Sequence, residues 1–361
     1  MKVVIFGLTI SSTWGNGHAT LWRGLCRALH SAGHDIVFVE RDVPYYAHHR
    51  DLSGAEWCRL VLYQDWTDVV PAARRELAGA DVGLVTSYCP DGRDACRLVL
   101  DSTVVRRVYY DLDSPVTLDA LARGERVPYL PEDGLAAFDL VLSYAGGAAL
   151  DGLTRYTGAR RVAPLYGSVD PDVHRPVLPA EHRRSALSYL GTYAADRQAV
   201  LERLFIEPAR LRRDKRFALA GSQYPSDFPW TENLLYFWHM PASDHPSFYC
   251  SSELTLNVTR AAMARVGYCP SGRLFEATAC GTAVISDWWE GLDQFFAPSH
   301  EVLVARDTAD VLASLDLTDG ERQRIGAWGR ERTLDCHTAR RRAHELERLL
   351  DMSPAVSQGV A

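Results

Sequence analysis

The chain has 361 residues, 47% hydrophobic and 24% charged, with a net charge of −7. That length suits two globular domains, and the acidic balance argues against general nucleic-acid binding, which needs a basic field. Eight cysteines occur without a CxxC pair, so neither a zinc-finger site nor a disulfide framework is expected; nor has any stretch the length of a membrane span or signal-peptide core, and a cytoplasmic location is expected.

Residues 3–8 are predicted as a first strand. A helix over 18–32 follows, because Leu21, Leu25, Ala28, Leu29 and Ala32 recur at helical spacing, and Gly33 ends it. Further strands are predicted over 35–40, 60–63, 82–86, 105–112 and 138–144. Near-continuous apolar strands alternating with helices predict a parallel sheet covered on both faces. Residues 163–184 break the alternation with Pro164, Pro171, Pro176 and Pro179. The alternation resumes with a strand at 186–191, a helix at 196–207 and a strand at 217–221, then a strand at 301–304 and helices to about residue 351. The division expected is a first domain 1–170, a linker 171–184, a second domain 185–335, a C-terminal helix 336–352 and a disordered tail 353–361. The fold class is α/β, with two Rossmann-like doubly wound domains facing a central cleft where the carboxyl ends of both sheets meet.

Residues 270–287, PSGRLFEATACGTAVISD, carry the most chemistry. Pro270, Ser271 and Gly272 suit a loop entering a helix N-terminus, Gly281 suits a left-handed cap, and residues 283–285 read as a buried strand. A helix N-terminus attracts phosphate, and Glu276 one turn further in is placed to accept hydrogen bonds from sugar hydroxyls. The segment resembles the donor-site motif of group 1 glycosyltransferases of the GT-B fold. The longer run from residue 255 to 260 (TLNVTR) through 289–292 (WEGL) resembles the CgeB-like branch, named after spore-maturation proteins.

That resemblance implies a glycosyltransferase using a nucleotide-diphosphate sugar, with no cofactor and no metal. On the donor side it implies Gly191, Thr192 and Arg197 after one strand, Tyr224 in the loop after the next, Asn257 and Arg260 before the motif, and Ser271, Gly272, Arg273 and Glu276 within it. An arginine at 260 is apt because its fork engages two phosphate oxygens as charge builds on the leaving group. An exposed helix charge is the equal alternative for Arg197, and a plain turn for the loop at 220–225. Retaining group 1 enzymes often carry a second Glu at a position that here is Tyr268; Glu253 and Asp287 are the substitutes considered.

Gly15, Asn16 and Gly17 let backbone approach a ligand, and His18 then stands at a helix N-terminus as a candidate general base. Asp111, at a strand end in YYDLDSP, is either a partner of that base or a structural group, whereas Asp113 and Ser114 read as a turn or helix cap. A base at His18 points to inversion and the family resemblance to retention, and both stay open. Trp288 and Trp289 are candidates for the cleft lining. Two other functions are compatible with the residues: a non-catalytic nucleotide- or glycan-binding relative, and a nicotinamide-dependent Rossmann enzyme in which Glu40 would contact ribose. The partners expected are a nucleotide sugar and a small-molecule or glycan acceptor.

Overall fold

The computed structural model describes residues 1–15 and 17–351. Asn16 and the tail expected at 353–361 lie outside the described residues. Seven strands form one sheet: β1 (Lys2–Gly7), β2 (Asp35–Arg41), β3 (Arg59–Tyr63), β4 (Val82–Thr86), β5 (Arg106–Asp111), β6 (Leu140–Ser143) and β7 (Val162–Pro164). Six form a second: β8 (Ser185–Leu190), β9 (Phe217–Ala220), β10 (Leu234–Phe237), β11 (Ser252–Asn257), β12 (Ala283–Ser286) and β13 (Leu303–Val304). Their orders are β3-β2-β1-β4-β5-β6-β7 and β10-β9-β8-β11-β12-β13, with every pairing parallel. Each sheet therefore begins in its middle and grows outward in both directions. The connections diverge between β1 and β4 and again between β8 and β11, which opens a crevice at the carboxyl end of each sheet.

Alternation along the strands explains why both sheets are covered on both faces. Val4 and Phe6 of β1 join Val37, Val39, Tyr109 and Val141 in one core, while Val3 and Ile5 join Ile36, Phe38, Val108 and Leu142 in the other. The second sheet is likewise sandwiched between two cores.

The domains are joined in three places. The helix Ala339–Asp351 returns to the first domain, where Ala343, Leu346 and Leu350 enter its core beside the helix His18–Ser31. Arg106 Nε donates to the Leu350 carbonyl at 3.0 Å, and His34 meets Glu347 at 2.7 Å. Val169 exchanges backbone hydrogen bonds with His337 and Ala339, so the two chain crossings lie side by side. Met263, Val266 and Cys269 of the second domain pack into the core of the first.

Several elements differ from the sequence reading, among them the central strand β11, which lies where no strand is predicted. Val162–Pro164 is an edge strand rather than the start of a break; Pro164 is tolerated there because an edge needs no donor on its open side. Leu234–Phe237 is a strand with only partial burial, so its apolar signal is weak. The helical run after β8 extends over 195–211 with a π turn at Glu202–Ile206. Pro208 has no N–H to give residue 204, and the wider turn accommodates that gap.

Candidate active site

The cleft between the two carboxyl ends holds about 470 Å³. Larger hollows of about 830 and 1210 Å³ lie at the amino ends of the strands, around Ser185 and Ser252 and around Arg106 and Asp139, away from both switch points. The chemistry belongs to the smaller space.

One wall is the helix Gly272–Ala279. Ser271 is its N-cap, yet no side chain caps the helix, so its first N–H groups face the cleft. At the far end Gly281 takes φ +77° and donates to Thr278, while Thr282 donates to Ala277. This paired closure is the left-handed cap expected there. It also sets the helix firmly beneath the cleft, because Gly326 fits against the Gly281 carbonyl only by lacking a Cβ.

Three guanidinium groups converge on that N-terminus. Arg273 Nη1 donates to Asn257 Oδ1 at 3.0 Å, its Nε donates to the Leu190 carbonyl, and its charge lies 5.0 Å from the centre of the Tyr189 ring. Arg197 donates to the Thr192 carbonyl at 3.3 Å, but its Nε is buried without a partner, and burial pulls its pKa down. Arg260 reaches Asp196 at 3.3 Å and, across the cleft, Asp113 at 3.9 Å. Gly191 passes between these groups; a Cβ there would stand 2.7 Å from Arg273.

Glu276 faces the cleft with its Oε2 held by Tyr249 Oη at 3.4 Å, His245 Nδ1 at 3.4 Å and His174 Nε2 at 3.9 Å. Burial alone would raise this carboxyl, but the two imidazoles and Arg273 outweigh it and hold the group down at about 2. His174 is itself lowered to about 4 by burial, so at neutral pH its dipole, not a full charge, supports the carboxylate. Sequence reading missed His174, His245 and Tyr249. The i, i+4 spacing of His245 and Tyr249 was a usable signal.

The opposite wall comes from the first domain. Gly15, at φ +66°, Gly17 and His18 line it. His18 keeps some exposed surface, but its Nδ1 is sealed from solvent, and burial lowers its pKa to about 4. Asp113 lines the cleft as well. It sits at the N-cap position of the helix Ser114–Ala122 but makes no side-chain cap; it accepts instead from Tyr88 Oη at 2.9 Å. Asp113 is thus the first-domain carboxylate at the cleft. Asp111 is fully buried behind it, accepts from the Asp113 N–H at 3.0 Å, and burial raises it to about 6.

Several expected residues stand outside the lining. Tyr224 donates to the Gly191 carbonyl at 2.9 Å from within a cluster of aromatic rings, and Asn257 acts through Arg273; both shape the cleft from behind. Tyr268, at φ +47°, is wedged against Gly147 and Gly291 and joined by backbone hydrogen bonds to Gly146 and Glu290. Glu253 pairs with Arg322, and Asp287 accepts from the Thr259 N–H and hydroxyl, so neither substitutes at the cleft. Trp289 is buried against Phe295, Trp288 is exposed, and neither lines the space. Among the residues lining the cleft, the carboxylates are Asp113 and Glu276. Glu40 is buried and accepts four hydrogen bonds from Thr9, Ile10 and Ser11. It moulds the loop after β1 and has no capacity left for a nicotinamide ribose. No helix among the described residues is long and apolar enough to cross a membrane.

A family model described as glycosyl transferase-like matches residues 197–348. No curated protein sequence matches the chain. Solved structures of similar fold cover nearly all of it. Sucrose-phosphate synthase from Thermosynechococcus elongatus aligns with a TM-score of 0.67 at 12% identity, over 96% of this chain and 98% of that one. An alpha-glucosyltransferase in complex with UDP and a 13-mer DNA containing an HMU base aligns at 0.72 and 11% identity, over 98% and 100%. HepE of Anabaena in complex with UDP-glucose aligns at 0.65 and 9% identity, over 97% and 99%. The chain thus has the GT-B fold along its length, and the family-model match lies within its second half.

Proposed function

We propose that the protein transfers a sugar from a nucleotide-diphosphate donor to a hydroxyl, or another nucleophile, of a small-molecule or glycan acceptor, with no metal ion at the diphosphate. One observation carries this reading: Arg197, Arg260, Arg273 and an uncapped helix N-terminus converge on a single cleft. Fixed cations and amides in a partly dry site stabilise the charge that develops on a leaving diphosphate, which is the task a metal would otherwise serve. Glu276, ionised and with its Oε2 already occupied, presents its other oxygen to donor hydroxyls, most naturally those of the ribose. His18, neutral above about pH 4, takes the proton from the acceptor hydroxyl as its oxygen bonds to the anomeric carbon and the diphosphate departs with the bonding pair.

UDP-sugars are the first donors to test, because structural relatives were solved with UDP or UDP-glucose. One relative also holds DNA; a nucleic-acid acceptor is not part of this proposal, given the net charge of −7. We place the chain in the CgeB-like branch on residues 255–260 and 289–292, and in the cytoplasm on its eight free cysteines. Calorimetric titration with UDP, GDP, ADP and dTDP tests the donor reading. Binding of one at micromolar affinity is expected, and no binding of any by folded protein would sink it.

Tyr268 favours a second reading, a donor-binding relative that does not transfer, since no carboxylate occupies that position. Donor binding with neither hydrolysis nor transfer across a broad acceptor panel would establish it.

A further inference from the structure

Glu276 needs only one oxygen to meet a ribose, and the environment of its other oxygen calls for a separate explanation. His174 comes from the connection between the domains, His245 from the start of the helix His245–Cys250, and Glu276 from the helix Gly272–Ala279. One potential ligand atom from each lies within 4.8 Å of the other two. His174 is 1% exposed, and neither of its ring nitrogens has a hydrogen-bond partner. His245 directs Nε2 at the Met240 carbonyl, 3.3 Å away. A carbonyl only accepts, so Nε2 carries a proton, and whenever the ring is neutral its Nδ1 lone pair points at the Glu276 carboxylate 3.4 Å away. Two acceptors facing each other in a buried space repel unless something positive lies between them.

We propose that His174, His245 and Glu276 hold one divalent first-row transition ion of the zinc type. Bonds of about 2.0–2.1 Å arranged tetrahedrally put neighbouring ligand atoms roughly 3.3–3.5 Å apart, and the separations from Glu276 Oε2 are 3.4 and 3.9 Å. Two imidazoles and one carboxylate select such an ion over magnesium or calcium, which prefer all-oxygen sites. The Met240 carbonyl serves as the outer hydrogen-bond partner that fixes the His245 tautomer. Bound there, the ion ties the interdomain connection to the floor of the cleft and leaves the second Glu276 oxygen facing the cavity. It is distinct from the diphosphate position, and the site stands whether or not the protein transfers a sugar.

The test is calorimetric titration of the full chain, stripped with chelator, with Zn2+ in the absence of nucleotide. Wild type is expected to take up one ion, His174→Ala and His245→Ala to bind at least a hundredfold more weakly, and Cys250→Ser, at the far end of the helix that begins with His245, to bind as wild type. Zn2+ should also raise the melting temperature of wild type and of neither histidine variant. No uptake by wild type, meaning a proton or water fills the space, overturns the proposal, as does undiminished binding by both histidine variants. Should those variants fold poorly, Co2+ in wild type decides the matter: paramagnetically shifted proton signals from two imidazoles support the site, and their absence overturns it.

Discussion

The two walls of the cleft are built in different ways. The second-domain wall is made of helix ends and strand ends whose charged groups are fixed from behind: Arg273 by Asn257 and Tyr189, Glu276 by His174, His245 and Tyr249. The first-domain wall is a glycine-bearing loop with His18 and Asp113, shaped from beneath by Glu40. A preorganised, cation-rich wall suits a ligand part common to many reactions, a diphosphate and its ribose. A loop wall suits the part that varies, because a loop can change without disturbing the sheet. The donor proposed above accordingly rests on the fixed wall, and its acceptor on the loop wall.

If the first-domain wall supplies the base, His18→Ala should have the largest effect, lowering kcat by about 10²–10⁴-fold while leaving the donor Kd unchanged. The pH profile sharpens this. Burial holds His18 down at about 4, so it remains neutral and able to accept a proton across the range above that value. The acid limb belonging to His18 should then lie near pH 4 instead of near 6.5. Stability follows the same sign: the unfolded chain protonates this imidazole below about 6.5 and the folded chain does not, so its contribution declines as pH falls from 6.5 toward 4. A kcat unchanged in His18→Ala would move catalysis off this wall.

Arg260→Ala is the matching break on the opposite wall. Its guanidinium is about a third exposed and bridges Asp196 and Asp113 at the cleft surface, which leaves it room to follow a departing phosphate. A loss of about 10²–10³-fold in kcat is expected, with a smaller loss in donor binding. Equal losses in kcat and in affinity would make Arg260 a ground-state anchor. Glu276→Ala comes next, with donor affinity reduced by about 10–100-fold, the roughly 1.5–3 kcal/mol of a hydrogen bond to a charged group. Unchanged donor affinity would remove Glu276 from the donor site.

The difference between the walls also explains what was legible in the sequence. Residues 270–287 form one continuous loop, helix and strand, so the N-cap at Ser271, the left-handed Gly281 and the cleft-facing Glu276 follow from local rules. The alternation of apolar strands with helices likewise gave most of the two parallel sheets, but not the short edge strand β7, the half-exposed β10 or the central strand β11. What escaped is assembled by distance in the fold. His174 meets Glu276 only because the interdomain connection passes beneath the cleft. Asp113 rather than Asp111 reaches the cavity because Asp111, on the last residue of β5, points into the sheet's buried end. Both carboxylates lie beside the same turn, and because residues two apart share a strand face, it is the turn after β5 that separates their fates.

Asp113 offers the finest test, because it belongs to one wall and touches the other. Its carboxylate accepts from Tyr88 and stands 3.9 Å from Arg260 Nη1, an ion pair across the cleft. Burial pushes this carboxyl up, opposed by the Tyr88 hydroxyl and by the Arg260 and Arg197 charges, so it depends on the same cations that a diphosphate would engage. A donor entering the cleft must compete with Asp113 for Arg260. Replacing it by Asn keeps the shape and the hydrogen-bond acceptor for Tyr88 but removes the charge. Because the pair is long and Arg260 is about a third exposed, its strength is of the order of a weak ion pair, 0.2–1 kcal/mol. Asp113→Asn should therefore tighten nucleotide-diphosphate binding by about two- to fivefold in calorimetry. The gain should shrink in an Arg260→Ala background, since the two changes act through one contact. Tightening that persists undiminished without Arg260 would mean that Asp113 opposes the donor through the general field of the cleft, and the two walls would then be coupled by charge at a distance instead of by this pair.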